Sequence, residues 1–465
     1  MQHLTQTLHK QQAAFAAQPY PSYAERRHDL LQLKAFLKDH TEAIVSAISA
    51  DYGHRSRHET LFGDVAPVLQ AIDHALKHLK TWMKPQRRSV DWLNFMGAKN
   101  RVLAQPLGVV GIIVPWNFPI NLSFMVLVDV IAAGNCAMVK MSENSRHLAQ
   151  LLIERSPKYF DVNKLSFFDE TGGVGVAFSQ LKFDHLVFTG STQTGKAVMA
   201  AAASNLCPVT LELGGKSPAL VCEDFPLRKA VERIMFMKCF NAGQICTDVD
   251  HVYVPHHSVK AFASLAQEVV QQRFADLDSP DVTSIIDDRS FQRLVDALQE
   301  AQSQGATLVQ LLPGKPWDAQ TRKIAPHVVL NAPPSCALLT REIFGPILPV
   351  LAYTHIDEAV ASINAAPHPL AFYPFSNDAA VVQHLITHIR SGGVCVNDAV
   401  FHTAQHDLPF GGVGDSGMGH YHGRAGFETF SHMRAVLYQS AFSGMRFMWP
   451  PYRQFANKYL AFLLK

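Results

Sequence analysis

The sequence predicts an α/β protein with two doubly wound, Rossmann-like regions. From residue 109 onward, short apolar runs rich in β-branched residues alternate with longer segments of helical spacing. The first run, Val109 to Val114, is typical of a strand buried on both faces. The first eighty residues instead carry apolar positions three and four apart, as in Leu30, Leu33 and Leu37, which predicts helices. A chain of 465 residues has room for about three domains, or two large ones.

The first alternating region predicts a βαβ unit with a right-handed crossover, followed by further strands of the same sheet. Gly134 stands where the first crossover helix would end. Ser142 stands where a side chain would cap a helix beginning at Glu143. The predicted strands are Val109 to Val114, Cys136 to Met141, His185 to Thr189 and Val209 to Leu213, with helices at Asn121 to Ala133 and Thr192 to Ala203.

A second alternating region follows Lys216. Functional residues of doubly wound sheets gather at the carboxyl ends of strands, so we expect the candidate site residues there. The predicted strands are Ala219 to Cys222, Val252 to Val254 and Leu348 to Leu351, and helices are predicted near Leu227 to Cys239, Val259 to Phe274 and Ile356 to Ile363.

The composition argues against several classes of protein. The chain is 48% hydrophobic and 17% charged, whereas a disordered chain is rich in charge and poor in apolar residues. A net charge of +2 argues against a nucleic-acid-binding or membrane-surface protein, since such proteins usually have a stronger basic excess. The longest apolar stretch, Ile120 to Gly134, is too short for a transmembrane helix and contains Asp129. The N-terminus has no secretory signal pattern and the seven cysteines form no CxxC pair, so we expect a cytoplasmic protein with reduced thiols.

Three residues are candidates for catalysis. Cys246 lies in Phe240-Asn-Ala-Gly-Gln-Ile-Cys-Thr247, a polar loop suited to a reactive thiol, although a lone cysteine is more often a small core residue. Glu212 lies between two leucines at a strand end, where it either pairs structurally or moves protons with a raised pKa. Asn117 follows a buried strand, where it either forms a turn or donates to an oxyanion.

Other segments indicate a nucleotide. Gly190-Ser-Thr-Gln-Thr-Gly-Lys196 opens a helix after a strand, which favours phosphate binding. It nearly matches the P-loop, but Ala197 replaces the hydroxyl that would hold Mg²⁺, so a dinucleotide is the better interpretation than a phosphotransferase. Lys140 and Glu143 form either a surface pair or a binding site for a ribose diol. Glu342-Ile-Phe-Gly-Pro346 is either a turn or a carboxylate and aromatic face for a cofactor.

The histidines do not predict a metal site. His402 and His406 are four residues apart, but the chain has no HExxH motif. Its 23 histidines are scattered along the whole sequence. We therefore expect no metal.

Taken together, these segments resemble the aldehyde dehydrogenase superfamily over nearly the whole chain, and the lack of a usual GxGxxG is part of the resemblance. Gly417-Met-Gly-His-Tyr-His-Gly423 resembles the class 3 branch, and Gln405 to Gly412 with the Arg446 to Tyr452 tail is similar to its bacterial coniferyl-aldehyde dehydrogenases. Thr194 and the residues Thr247 to Val249 depart from the family pattern, whereas Asp250 matches it, and these departures affect the expected substrate pocket and not the chemistry. The motifs are Pro115-Trp-Asn-Phe-Pro119, Lys140-Met-Ser-Glu143, Phe188-Thr-Gly-Ser191, Glu212-Leu-Gly-Gly-Lys216, Gly243-Gln-Ile-Cys246, Glu342-Ile-Phe-Gly-Pro346 and Pro409-Phe-Gly-Gly412.

The resemblance implies a role for each matched residue. Cys246 adds to the aldehyde, Asn117 and the Cys246 backbone N–H hold the oxyanion, and Glu212 activates water. The tetrahedral alkoxide expels hydride to the nicotinamide and leaves a thioester, which water releases as the acid. The implied cofactor is NAD, with NADP as an alternative. The implied cofactor contacts are Trp116, Lys140, Glu143, Gly190, Ser191, Glu342 and Phe344.

The resemblance also implies a homodimer and a division into domains, with a small β extension for oligomerisation. Residues 1–81 and 105–212 would bind NAD(P), and residues 213–400 would carry the nucleophile. Residues 82–104 and 401–440 would bridge and oligomerise, and residues 441–465 would form a tail.

The substrate stays open at this point. An aromatic, coniferyl-type aldehyde is expected if Phe118, Phe240 and Phe401 line a pocket, although the same residues suit a core. The alternatives are a medium- or long-chain aliphatic aldehyde and an acylating or reductive relative. The presence of Glu212 argues for oxidation, because the reductive reaction needs no deacylating base.

Overall fold

Five parallel strands and one short antiparallel strand form the first sheet in a computed structural model that describes residues 2–441 and 443–464. The central strand Val109–Ile113 lies between Cys136–Lys140 and His185–Gly190. Every residue of the first two strands is buried, as expected for a sheet covered on both faces. The strand order is Gly417–Met418, Val209–Leu213, His185–Gly190, Val109–Ile113, Cys136–Lys140 and Leu165–Phe168.

Helices connect these strands, as the sequence pattern predicts. Asn121–Ala133 and Thr192–Ala203 have the predicted bounds, and Gly134 ends the first of them with a left-handed φ of 93°. The predicted helix start at Glu143 is wrong, because the helix begins at Arg146. Ser142 Oγ accepts from the Asn144 N–H at 3.3 Å, so its side chain stabilises a local turn instead of capping a helix. The other helices of this region are Arg146–Arg155 and Val174–Ser179.

The N-terminal helices pack against the first sheet; the first of them belongs to a smaller apolar core, and the later helices share the main one. A fully buried ion pair links Arg55 to Asp64 at 2.9 Å. Asp64 also accepts from the backbone N–H groups of Ile120 and Asn121, both at 3.0 Å. The N-terminal helices are therefore tied to the segment that follows the central strand. They span Gln2–Ala17, Tyr23–Asp39, Thr41–Tyr52, Arg57–Thr60 and Ala66–Trp82, with a π-helical turn at Leu61–Val65.

The second sheet has seven strands, and only the edge strand Thr307–Gln310 pairs antiparallel to its neighbour in the described structure. Both sheets are thus doubly wound and Rossmann-like, which confirms the predicted fold class. The strand order is Thr307–Gln310, His327–Leu330, Ile347–Tyr353, His251–Pro255, Pro218–Val221, Ala371–Phe375 and Gly393–Val394. The main helices are Leu227–Cys239, Val259–Arg273, Asp288–Ser303, Ile356–Ala365 and Ala379–His388, with short helices at Ala337–Thr340 and Gly423–Thr429.

A separate antiparallel sheet of three strands forms the β extension. Its strands are Gln86–Arg88, Lys99–Pro106 and Ser431–Tyr438, and the last two pair over eight residues. A C-terminal helix, Gln454–Leu463, follows this sheet. No helix within residues 2–441 and 443–464 is long and apolar enough to cross a membrane. A further two-stranded ribbon pairs Trp317–Asp318 with Lys323–Ile324.

Candidate active site

Cys246 lies in the loop between the helix Leu227–Cys239 and the strand His251–Pro255, as predicted. The loop turns sharply, because Asn241, Ala242 and Gly243 have successive φ values of 52°, 51° and 69°. A Cβ atom at residue 243 would lie 2.4 Å from the Gly345 carbonyl oxygen, so glycine is required there. This run of left-handed residues directs the chain into the interior just before the thiol.

The side chain of Gln244 holds the loop in place. Its Nε2 donates to the carbonyl oxygens of Asn241 at 2.9 Å and Ser284 at 3.1 Å. Its Oε1 accepts from the Ile286 N–H at 3.0 Å. The buried amide therefore has a partner for both donors and for its acceptor, which fixes the backbone two residues before Cys246.

Asn117 lies beside this loop and is buried. Its carbonyl oxygen accepts from the Tyr52 hydroxyl at 3.0 Å and from Asn241 Nδ2 at 3.2 Å. Its own Nδ2 donates to the Gln244 carbonyl oxygen at 3.2 Å. An amide nitrogen carries two N–H donors, and this hydrogen bond uses one of them.

Glu212 occupies the strand Val209–Leu213, opposite Thr189 on one side and Gly417 on the other. It is 2% exposed, and neither carboxylate oxygen has a hydrogen-bond partner within residues 2–441 and 443–464. Burial raises the pKa of this carboxyl well above its usual range. A structural ion pair was one of the two sequence-based interpretations, and the described residues provide none.

The thiol of Cys246 lies within the electrostatic reach of two carboxyl groups. Burial, followed by the charges of Glu342 and Glu212, raises its pKa to about 12, although backbone N–H groups of Cys246 and Thr247 oppose the shift. At neutral pH the thiol is therefore protonated in the unliganded protein. The mutual influence of these groups also shows that the two sheets bring the candidate nucleophile and both carboxyls into one site.

An aromatic cavity of 290 Å³ opens at Cys246. The rings of Phe118 and Phe240 lie nearly parallel, with 6.1 Å between their centroids. Phe401 faces the cavity from the chain that follows the second sheet. The three phenylalanines considered from the sequence thus line a cavity at the thiol. The aromatic residues of the cavity wall are Phe62, Phe118, Phe240, Phe401, Phe410 and Tyr421.

Glu342 is held over a glycine pair by a buried polar network. Gly215 N–H donates to Glu342 Oε1 at 3.3 Å, and a Cβ on Gly214 would lie 2.2 Å from Oε2. Lys216 pairs with Asp250, whose other oxygen accepts from the Ile343 N–H at 2.9 Å. The glycines thus leave room for the carboxylate beside the thiol, and the Lys216–Asp250 pair fixes the loop that carries it.

Two aromatic rings meet next to this loop. Trp116 and Phe344 contact edge to face, with 5.5 Å between centroids. Phe344 has a φ of 50°, a left-handed conformation that is unusual for a bulky residue. Strain of this kind is common where a side chain is positioned for a ligand.

The candidate ribose and phosphate contacts lie along the carboxyl edge of the first sheet. Lys140 pairs with Glu170, and Glu170 accepts from the Gly175 N–H at 2.9 Å. Glu143 is exposed in the following loop and is not the partner of Lys140. Gly190 ends its strand, and the Ser191 side chain caps the next helix by accepting from the Thr194 N–H at 3.3 Å. The candidate contacts thus lie at the edge where doubly wound sheets bind dinucleotides.

The structure brings together all the candidate residues in two groups, one around Cys246 and one along the edge from Lys140 to Ser191. Sequence reasoning missed Glu170 and Tyr421. Glu170 follows the strand Leu165–Phe168 within a polar glycine-rich stretch, which is a recognisable signal for a carboxyl-end loop. Tyr421 lies in the motif Gly417 to Gly423, but only tertiary packing shows that it lines the cavity at Cys246. Among the described residues, no group of three potential metal ligands is assembled.

Comparison with known proteins gives consistent matches over nearly the whole chain. The model of the aldehyde dehydrogenase family matches residues 2–436. A "Probable coniferyl aldehyde dehydrogenase" of Pseudomonas aeruginosa is 46% identical over 450 residues, covering 97% of this chain and 94% of that protein. "Aldehyde dehydrogenase, dimeric NADP-preferring" of Rattus norvegicus is 36% identical and covers 95% of both chains. The substrate-bound structure of Staphylococcus aureus AldH superposes with a TM-score of 0.93 at 34% identity, covering 99% of both chains.

Proposed function

The chain belongs to the aldehyde dehydrogenase family, and on that premise we propose that it oxidises an aromatic, coniferyl-type aldehyde to the acid through a thioester on Cys246. The aldehyde dehydrogenase activity follows from the family and from relatives that match most of the chain. The residue assignment rests on a loop-borne thiol that lines the aromatic cavity, a buried unpartnered carboxyl whose charge acts on that thiol, and a buried amide that is hydrogen-bonded to the same loop.

In this proposal each group acts at a stated atom. Cys246 Sγ adds to the aldehyde carbon, and the Asn117 amide with the Cys246 N–H stabilises the oxygen that becomes negative. A bound nicotinamide dinucleotide supplies the hydride acceptor. Glu212, in its ionised form, then takes a proton from the water that cleaves the thioester, and its raised pKa makes that carboxylate a stronger base. Because Cys246 has a pKa near 12 before ligands bind, addition of the thiol must be coupled to loss of its proton.

The aromatic cavity supports the aromatic substrate. Its 290 Å³ volume is at the lower end of the range for ligand pockets, which suits a compact ring better than a long flexible chain. The name of the Pseudomonas aeruginosa relative indicates the same class of aldehyde. We expect kcat/KM to be higher for cinnamaldehyde-type than for aliphatic aldehydes of equal carbon number.

The mechanism is tested by separating the first turnover from the second. Cys246→Ala should form no NADH, because hydride transfer requires the covalent adduct. Glu212→Gln should form up to one NADH per active site in a rapid-mixing trace and then stall, because only thioester hydrolysis needs the base. The amplitude decides the result, since a merely slowed first step still reaches its endpoint.

The matched control is Glu59→Gln, another buried glutamate whose pKa burial raises to about 7. This variant should turn over at close to the normal rate. Steady turnover near the normal rate in Glu212→Gln would assign the base to another residue.

The proposal includes NAD as the preferred cofactor. Glu143 is exposed in the loop that follows Lys140. A carboxylate at this position would accept a hydrogen bond from the free 2′-hydroxyl of NAD and would repel the 2′-phosphate of NADP. We expect a higher kcat/KM with NAD than with NADP, and Glu143→Gln should narrow the difference. The name of the rat relative indicates the opposite preference, so a higher efficiency with NADP would overturn this part of the proposal.

The remaining parts of the proposal concern organisation. We assign NAD(P) binding to residues 1–81 and 105–212, the nucleophile to 213–400, and bridging and oligomerisation to 82–104 and 401–440. A cytoplasmic homodimer is supported by the absence of a spanning helix in the described chain and by the word "dimeric" in the name of the rat relative. Light scattering of the purified protein tests the dimer.

A further inference from the structure

The C-terminal helix Gln454–Leu463 is amphipathic, and its apolar side faces outward. Gln454, Asn457 and Lys458 fall on one side at helical spacing, whereas Phe455, Tyr459, Phe462 and Leu463 share the other. Phe462 is 66% exposed and Leu463 is 50% exposed. Ala456 is the one buried residue of the helix among those described. A helix with this pattern ordinarily buries its apolar side, so its exposure here points to a partner outside the chain.

Aromatic residues extend this apolar surface onto neighbouring segments. Trp449 and Trp92 are each 68% exposed. The loop that carries Trp92 is joined to the start of the tail, because the Ser440 hydroxyl donates to the Met96 carbonyl oxygen at 2.9 Å. We call this combined surface, formed by residues 92–96 and 443–464, the tail face. Tryptophan and tyrosine favour the boundary between water and lipid, where one end of the ring is dry and the other wet.

Positive charge is concentrated in the two segments of the chain that contain the tail face. Residues 82–104 and 439–465 carry nine Lys or Arg and one Asp, whereas the rest of the chain carries 32 Lys or Arg and 38 Asp or Glu. Residues 439–465 contain no acidic residue. The overall net charge of +2 therefore hides a basic face on an otherwise acidic protein. The tail face itself holds Arg446, Arg453 and Lys458 and no acidic residue, so it is complementary to a negatively charged surface.

From these observations we infer that the tail face binds peripherally to a membrane that contains anionic phospholipids. The exposed aromatic and aliphatic side chains would enter the headgroup region, while the basic residues remain in contact with the lipid phosphates. The helix would lie in the plane of the interface and would not span it, since its ten residues are far fewer than the roughly 20 needed. The catalytic residues take no part in this binding.

The experiment is a vesicle co-sedimentation assay with the full chain. Vesicles of phosphatidylcholine are compared with vesicles that contain 30% phosphatidylglycerol as probes, in the range ~50 to ~500 mM salt. We expect binding to the phosphatidylglycerol vesicles to be at least about tenfold stronger and to weaken with salt. A chain that stays in the supernatant with both kinds of vesicle overturns the inference.

Two pairs of variants separate the apolar and basic contributions. Phe462→Ser/Leu463→Ser should weaken binding at least about tenfold, whereas Leu206→Ser, at an apolar residue that is 91% exposed, should not. Arg453→Glu/Lys458→Glu should weaken binding by about tenfold or more, whereas Lys229→Glu/Lys260→Glu should change it little. All four proteins should retain aldehyde oxidation in solution. If the tail variants change the mass in light scattering and not vesicle binding, the tail face is an interface between copies and the inference is wrong.

Discussion

In the proposed mechanism, Asn117 has a structural and a chemical role in one side chain. Its amide donates to the Gln244 carbonyl oxygen, and the proposal assigns its second donor to the substrate oxygen. Asn117→Ala should lower kcat by a factor on the order of 10²–10³, equivalent to about 3–4 kcal/mol, the usual effect of losing one oxyanion donor. Loss of the hydrogen bond should lower the free energy of unfolding by only about 1 kcal/mol. Steady-state kinetics and thermal unfolding measure the two effects separately.

Asn121 provides the matched control for this prediction. It lines the same cavity, but its amide donates to the Gly63 carbonyl oxygen at 2.7 Å, away from the nucleophile loop. Asn121→Ala should therefore leave kcat within a few-fold of normal. A folded Asn117→Ala protein with undiminished turnover would remove Asn117 from the oxyanion site.

Residue types at strand ends were the most informative part of the sequence. A glutamate between leucines and a cysteine in a polar glycine loop are chemically unusual, so Glu212 and Cys246 could be selected without a structure. Glu170 could not be assigned in the same way, because its meaning depends on an ion pair with Lys140 on the neighbouring strand. Closeness in sequence suggests that Lys140 lies beside Glu143. In the structure the Lys140 side chain turns instead toward the loop that carries Glu170.

At the scale of one element, the nucleophile loop depends on a backbone shape that few sequences permit. Gly243→Ala adds a Cβ that would lie 2.4 Å from the Gly345 carbonyl oxygen. The clash and the φ of 69° should lower the free energy of unfolding by about 1–3 kcal/mol and displace Cys246. We expect at least a tenfold loss of kcat/KM together with a lower melting temperature.

The variant Gly305→Ala separates the effect of backbone strain from the effect of the steric clash. Gly305 has a φ of 95°, and a Cβ there would meet nothing within 4 Å. This variant should lose stability through backbone strain alone and keep its kcat/KM. If both variants lose only stability and neither loses activity, the loop does not position the thiol in the way described.

Elements marked by local chemistry were predictable, and elements fixed by distant partners were not. The helix Asn121–Ala133 follows Pro119 and ends at Gly134, so its bounds are written in the sequence. The short strand Gly417–Met418 forms by pairing with Glu212 and Leu211, and no local sequence pattern predicts it. The left-handed conformations of Asn241 and Ala242 could not be predicted either, because neither residue type requires a positive φ.

At the scale of the whole molecule, buried acids should make the protein less stable as the pH rises. Burial raises the pKa of Glu59 to about 7 and those of Asp129 and Glu342 to about 8. The unfolded chain releases these protons near pH 4, whereas the folded protein keeps them up to about pH 7 to 8. The free energy of unfolding therefore decreases as the pH rises over this range. Buried histidines such as His422, with a pKa lowered to about 3, act in the opposite direction only below pH 6.5.

The melting temperature should accordingly fall between pH 6.5 and 8.5. Asp129 Oδ2 accepts from the backbone N–H of His422 at 2.9 Å. Asp129→Asn should reduce the fall in melting temperature, because the amide oxygen can still accept this hydrogen bond while the side chain carries no charge. Asp73→Asn, at an exposed surface carboxylate, is the control and should leave the slope unchanged. A melting temperature that is constant or rises over this range would contradict the prediction.

The two carboxyl groups beside Cys246 have a consequence for the lifetime of the idle enzyme. A cysteine thiolate attacks peroxides and conjugated alkenes far faster than the neutral thiol does. Because burial and the nearby carboxyls keep the Cys246 thiol protonated in the unliganded protein, it should react slowly with oxidants and with unsaturated compounds that enter the cavity. Each catalytic cycle must therefore include the free-energy cost of ionising the Cys246 sulfur. Between cycles the protonated thiol is protected from irreversible chemical damage.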